Sequence, residues 1–285
     1  VEVTGIGYRA LRDNTTGALN TAVGGDALLL NTTGTRNNAL GYLALSANTT
    51  GDNLVAIGTQ ALQSNTTADN NTAVGYASLN VNTTGASNTA VGANALIANT
   101  TGATNAAIGR EALKACTTGA NNSAIGDNAL YTTTTGSLNI GLGREAISSS
   151  ATASNECTLG DSNISTLRCN DQSISALSDS RDKTDVIDSP YGLDFINTVR
   201  PVQFKWDTRD GNVKDGSTRI GFLAQELLTA TDGNNAVLDL VLEENSDKLE
   251  AKYANLLPII VQAIQDLSTQ VTALTARITT LENGE

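Results

Sequence analysis

The chain has 285 residues, of which 40% are hydrophobic, 16% charged and only 4% aromatic, with a formal charge of −12. The absence of His excludes a His-containing catalytic triad and the commonest metal sites. The acidic balance argues against a nucleic-acid partner, since phosphate neutralisation needs clustered Lys and Arg.

No apolar run approaches the length of a membrane span, and no secretory signal precedes Val1, so membrane insertion is not expected. A start at Val1 without Met points to a fragment or a processed product. The averages conceal two halves. Residues 1–177 carry 18 charged side chains, whereas 178–285 carry 28, together with all three Phe and the single Trp206. That shift marks a domain boundary near 161–177.

In chain order the repeats come first. Glycine recurs every 17 residues from Gly7 to Gly160, always preceded by a branched aliphatic such as Ile6, Val23 or Leu40. Four residues after each glycine stands Leu11, Leu28, Leu45 and so on to Leu130, then Ile147. A second glycine closes Asn-Thr-Thr-Gly at 14–17, 31–34, 48–51, 82–85 and 99–102. Seventeen residues are too few for a helix pair and suit one coil of a β-solenoid or β-roll. The Thr-Ala-Val stretch predicts a short strand, the first glycine a tight corner, and Ala-Leu a second inward segment. The Asn-Thr-Thr-Gly stretch predicts the other corner, Asn bonding its own backbone and Gly taking positive φ. The expected interior is a ladder of the aliphatic before Gly and a ladder of Leu. The Ala two before Gly (Ala22, Ala39, Ala56) then falls on the opposite strand face and is assigned to contacts between chains. About nine such coils would form a rod of about 43 Å. These repeats resemble those of phage fibres and of trimeric adhesin heads in architecture, with a period longer than the adhesin repeat. The Thr pairs raise ice binding as a remote alternative, and the Asn-x-Thr triplets match glycosylation acceptors, although turn chemistry accounts for both.

Cys116, Cys157 and Cys169 are odd in number and lack a C-x-x-C spacing, so no metal site is expected; buried thiols are the first reading. A disulfide between Cys157 and Cys169, or between chains, is the alternative.

Residues 178–183, Ser-Asp-Ser-Arg-Asp-Lys, open the second half. They are followed by Gly-Leu-Asp-Phe-Ile at 192–196, Arg-Pro-Val-Gln-Phe-Lys-Trp at 200–206, Gly-Phe-Leu-Ala-Gln-Glu-Leu at 221–227, and Tyr-Ala-Asn-Leu-Leu-Pro at 253–258. This succession resembles the endosialidase-type intramolecular chaperone, the self-cleaving C-terminal domain of phage tailspikes and fibres, over all of 178–285. The resemblance implies a domain that helps three chains fold and is then cut off before the serine. It also implies that Ser178 is the nucleophile, Lys183 its base, and Leu177–Ser178 the scissile bond. A Ser hydroxyl needs a nearby base, and without His a Lys is one of few options. Such a Lys serves once burial or nearby positive charge lowers its pKa. Arg181 would supply that charge and Asp179 and Asp182 oppose it. The family often has Lys-x-Asn at this point, whereas Lys183 is followed by Thr184 and Asp185.

Phe195, Phe204 and Phe222 are expected as core packing, and the stretch Glu243-Glu244 with Asp247-Lys248 as a solvated turn. Ile264, Val271 and Ile278 alternate with Leu267, Leu274 and Leu281 at 3–4 spacing, which predicts a coiled-coil helix with Pro258 in its first turn. β-branched a with Leu d favours dimers in model peptides, whereas the resemblance implies trimers, and the trimer is preferred.

The expected organisation is therefore mainly β and homotrimeric. A solenoid shaft spans 1–160, a neck 161–177, an α+β chaperone domain 178–258 and a coiled-coil helix 259–285. The expected function is a viral tail fibre or spike that meets a host-surface glycan or protein receptor, located in the virion and assembled in the host cytoplasm. Self-cleavage is a single turnover without cofactors. A bacterial trimeric adhesin is the alternative. A glycan-degrading solenoid is more remote, since 11 acids spread over residues 1–177 offer few carboxylate pairs.

Overall fold

The computed structural model describes the chain except for residues 1, 165–167, 169–177, 206–215, 244, 248 and 285. It is mainly β and divides into two compact units, Val1–Ser165 and Thr166–Glu285.

The first unit is a β-solenoid of 17-residue coils. Strands β1 (Val3–Ile6), β2 (Asn20–Val23) and eight successors ending in β10 (Cys157–Leu159) form one ten-stranded parallel sheet in strict sequence order. Each residue pairs with the one 17 positions on, as in Thr72↔Thr89, Ala73↔Ala90 and Val74↔Val91. The strands are only three or four residues long, yet the coils are joined around much of their circumference. Leu28 N–H donates to Ala44 O (3.0 Å), Thr15 N–H to Thr32 O (3.0 Å) and Gly24 N–H to Ile6 O (2.8 Å). A period of 17 thus satisfies its backbone through the neighbouring coil, which a shorter chain segment could not do alone.

The interior differs from the expectation in one respect. Leu28, Leu45, Leu62, Leu79, Leu96 and Leu113 are fully buried, as expected, each beside a buried small residue at the preceding position, Ser78 before Leu79 and Ala before the others. The Ala two before each corner glycine is also inside: Ala22, Ala56, Ala73, Ala90, Ala107 and Ala124 are all 0% exposed. The aliphatics that immediately precede the glycine face outward instead: Val23, Val74 and Val91 are partly exposed, and the others range from 39% exposed at Leu142 to 60% at Ile6. The reason is volume. Gly141 stands at the Ala position of its coil, and a Cβ there would lie 2.7 Å from Leu130 Cγ. The Leu ladder already fills the narrow section, so the strand turns its smallest side chain inward and its largest outward.

The corners separate two uses of glycine. Positive φ falls at the glycine after the strand, for example Gly75 at +133°, where a Cβ would also stand 2.6 Å from Gly92 O. The glycine of Asn-Thr-Thr-Gly, expected to need positive φ, is not left-handed and is required for space. At Gly51 a Cβ would meet Ala68 O and Asn48 Oδ1 at 2.6 Å each. The left-handed conformation instead recurs at Leu residues of the core ladder, such as Leu28 (φ 50°) and Leu96 (φ 52°). Non-glycine residues hold that conformation only where their surroundings enforce it.

Two buried Asn ladders close the section. Asn48 Nδ2 donates to Gly51 O (3.0 Å) within its turn and to Asn31 Oδ1 (2.8 Å) in the preceding coil. Asn37 Nδ2 donates to Gly51 O (2.8 Å), and its Oδ1 accepts from Leu54 N–H (3.0 Å). The first Thr of each pair uses its hydroxyl on the next coil, as in Thr83 Oγ1 to Thr100 O (3.1 Å), so these hydroxyls serve the turn and not a free Thr face. Cys116 replaces one ladder Asn. It is buried, and burial pushes its thiol up to about 11. Cys157, expected inside, is exposed because it occupies an outward strand position; Cys169 lies outside the described residues.

The second unit is α+β. A 3₁₀ turn (Ser180–Asp182) precedes α1 (Leu193–Ile196), the antiparallel pair β11 (Val202–Lys205) and β12 (Thr218–Gly221), α2 (Ala224–Ala230) and α3 (Asn235–Leu238). The antiparallel pair β13 (Val241–Leu242) and β14 (Glu250–Ala251) and the long α4 (Leu256–Glu282) complete it. Phe195, Leu227, Leu238, Leu240, Leu256 and Ile259 form its core, with Phe222 packed against them. Phe204 is half-buried. Trp206, Glu244 and Lys248 lie outside the described residues. Pro258 lies in the first turn of α4, where its missing N–H costs nothing. From Leu267 to Gly284 every residue of that segment is exposed.

Candidate functional site

Ser178 and Lys183 are brought together by a local device. Asp179 caps the 3₁₀ turn, its Oδ1 accepting from Arg181 N–H at 2.9 Å. Lys183 N–H donates to Ser180 O (3.3 Å), after which the chain is extended. Across this turn Lys183 Nζ donates to Ser178 Oγ at 2.6 Å. Leu177, the residue before Ser178, lies outside the described residues.

The electrostatics around the pair are set by Asp179 and Arg181. The guanidinium of Arg181 clasps the Asp179 carboxylate, its Nη2 donating to Oδ2 at 2.5 Å. That contact holds the Asp179 carboxyl below its ordinary range, helped by the Arg181 backbone N–H, and raises Arg181 in turn. Arg181, expected to supply positive charge near Lys183, is therefore matched by a carboxylate. Ser178 and Lys183 are both exposed in the single chain. An amine acts as a general base only in its neutral form, which burial favours.

Residues 178–238 match the family model described as Chaperone of endosialidase. This chaperone match begins on Ser178 itself. It ends at Leu238, on the last residue of α3, so β13, β14 and α4 lie beyond it although Leu256 and Ile259 complete the same core. Comparison with curated proteins and with solved structures finds no match.

Sequence reasoning missed one positioning residue of the chaperone unit. Asp266, on α4, accepts from Leu193 N–H at the start of α1 (3.0 Å) and from Gln262 Nε2 (2.9 Å). The Leu193 backbone N–H, then the Gln262 side chain, hold the Asp266 carboxyl below its ordinary range. Gly192 makes the approach possible, because a Cβ there would collide with Asp266 Oδ2. In the sequence Asp266 reads as one polar position of a heptad; its partner lies 73 residues away. A second link, Tyr253 Oη to Phe222 O (3.2 Å), fastens the residues before α4 to the body.

Among the described residues no group of His, Cys, Asp and Glu is placed to hold a metal ion. No helix there is long and apolar enough to cross a membrane. A β-solenoid together with a chaperone-of-endosialidase domain fits a protein of the phage tail fibre or spike type.

Proposed function

We propose that this chain is part of a homotrimeric phage tail fibre or spike that carries its own folding chaperone. The solenoid of 1–160 serves as the shaft that reaches a receptor on the host surface. Residues 161–177 form the neck, and the domain from Ser178 onward registers three chains through its body and the coiled-coil helix 259–285. The observation that carries this reading is the start of the chaperone match on a serine whose hydroxyl is 2.6 Å from Lys183 Nζ.

In the proposed reaction Lys183, as the neutral amine, takes the proton of Ser178 Oγ while the oxygen attacks the carbonyl carbon of Leu177. The Leu177–Ser178 C–N bond breaks, the nitrogen of Ser178 takes the proton, and an ester links Leu177 to Oγ. Water then hydrolyses the ester, leaving a carboxylate at Leu177 and a free amine and hydroxyl on Ser178. This single turnover needs the pair to be desolvated, and the exposure of both side chains in one chain assigns that task to assembly. The chaperone is thereby released only after the chains have come together.

Mass measurement under native and denaturing conditions tests the proposal. The expected result is a trimer that separates on denaturation into fragments ending at Leu177 and beginning at Ser178. Ser178→Ala should give a trimer of intact chains. Cleavage that persists in Ser178→Ala would remove Ser178 from the mechanism.

A further inference from the structure

Among the described residues of the first unit nothing covers the outer face of the ten-stranded sheet, and its composition is unlike that of the rest of the solenoid. Each strand presents two residues outward, the one before the corner glycine and the one three before it. In the first row stand Val23, Leu40, Ile57, Val91, Ile108 and Ile125 among others, aliphatic in every coil. In the second row stand Thr, Ser, Asn, Val, Ala, Ile and Cys. Neither row contains one charged residue, although the same unit displays Arg110, Asp127, Arg144 and Asp161 one position beyond the glycine. Tyr8, Tyr42 and Tyr76, also one position beyond it, are exposed as well.

We infer that this outer sheet face is the seam along which identical copies of the chain pack, in place of the Ala ladder; the inference rests on the homo-oligomeric reading above. A parallel sheet is almost always covered on both faces, and here the coil itself covers only the inner one. Ten strands spaced about 4.8 Å apart make a strip about 43 Å long with one continuous aliphatic row. A second copy is the fitting occupant for three reasons. The strip repeats every coil, so a copy in the same register presents the same aliphatic and hydroxyl rows at the same pitch. It lacks charge in a chain of formal charge −12, so copies approach there without bringing like charges together. The other unit needs copies as well: on α4, Ile264, Leu267, Val271, Leu274 and Ile278 are 50–62% exposed and have the spacing of a coiled-coil seam. The sheet strip, on the order of 400 Å², is about half the footprint of a standard interface per partner. The helix row supplies further area, so both rows are used.

The test uses the full chain. Val74→Lys with Ile108→Lys places two charges on the strip, at side chains the single chain leaves partly or largely in solvent. Thr84→Lys with Thr101→Lys is the control at exposed turn positions, and Val271→Asp with Leu274→Asp charges the helix. Native mass over a dilution series is expected to show at least a tenfold higher dissociation concentration for the strip variant, with its β-sheet circular dichroism kept, and no change for the control. A probe that perturbs folding less is Thr89→Cys, compared with Thr84→Cys, with Cys157 and Cys169 replaced by Ser. In the assembled protein a maleimide should label position 89 at least tenfold more slowly than position 84, and the two rates should converge on denaturation. Equal labelling in the assembled protein, or a strip variant that assembles like wild type, overturns the inference while leaving oligomerisation intact. A wild-type chain that stays monomeric at all concentrations overturns the oligomeric reading together with it.

Discussion

Replacing Cys116 by Asn should stabilise the solenoid. In the ladder Asn14, Asn31, Asn48, Asn65, Asn82 and Asn99, each amide after the first donates to the Oδ1 of the coil before. The row stops at Cys116, and Asn99 Oδ1 is left buried without a hydrogen-bond partner. The Cys116 thiol reaches Gly119 O at 3.6 Å, a weak bond where the other coils have an amide at 2.9–3.0 Å. An Asn at this position would donate to both Asn99 Oδ1 and Gly119 O. A buried unsatisfied acceptor costs about 1–3 kcal/mol. Part of the gain is offset because the new Oδ1 must share the Thr133 hydroxyl, which now bonds Ser148 Oγ at 2.9 Å. A net gain of about 1–2 kcal/mol remains, or an upward shift of a few degrees in the solenoid transition for a unit of this size. Denaturant unfolding followed by far-ultraviolet circular dichroism measures it, with Cys116→Ala as the control that empties the site without supplying an amide. A Cys116→Asn chain no more stable than Cys116→Ala would refute the account of the ladder.

Gly75→Ala combines a positive φ with a Cβ 2.6 Å from Gly92 O and should cost at least about 2 kcal/mol, read as a lower solenoid midpoint. Leu96→Ala, at a fully buried ladder position, should cost about 2–5 kcal/mol, whereas Leu40→Ala, on the outward row, should leave the stability of the unassembled chain within about 0.5 kcal/mol; equal losses would contradict the inward Ala and outward aliphatic arrangement. Asp266 binds the start of α1 as a carboxylate whose pKa is lowered by folding, so its contribution is present above the ordinary carboxylate range and is lost as pH falls through the lowered value. Asp266→Asn should therefore flatten the acid limb of the chaperone unit's stability profile, and an unchanged limb would remove Asp266 as its source. Thiol titration of the native single chain at pH 8 should modify Cys157 and spare Cys116, whose burial keeps it protonated.

Much of this molecule is local and therefore legible. A glycine and a Leu recurring at 17 residues specify a coil, because the backbone of one copy can be satisfied only by the next. The Asn that opens each Asn-Thr-Thr-Gly turn bonds the carbonyl three residues on, as its type and place suggest. The approach of Lys183 to Ser178 is equally local: five residues, an Asp cap and one 3₁₀ turn close the gap. The cap of α1 by Asp266 was not legible, since nothing near Leu193 in sequence announces a carboxylate 73 residues away.

The sequence by itself determined the period, the solenoid class, the Leu ladder and the helix with its apolar row, whereas the pairing of Ser178 with Lys183 was implied by the resemblance. Only the tertiary structure decided which strand face is inside. Alternation in Thr-Ala-Val separates two faces but does not say which one turns inward, and hydropathy alone favours Val. The choice is made by the space left once Leu has entered the section from the other side, a volume that exists only when the coil is closed. There the smaller side chain fits, and the larger one is left facing outward in a row free of charge.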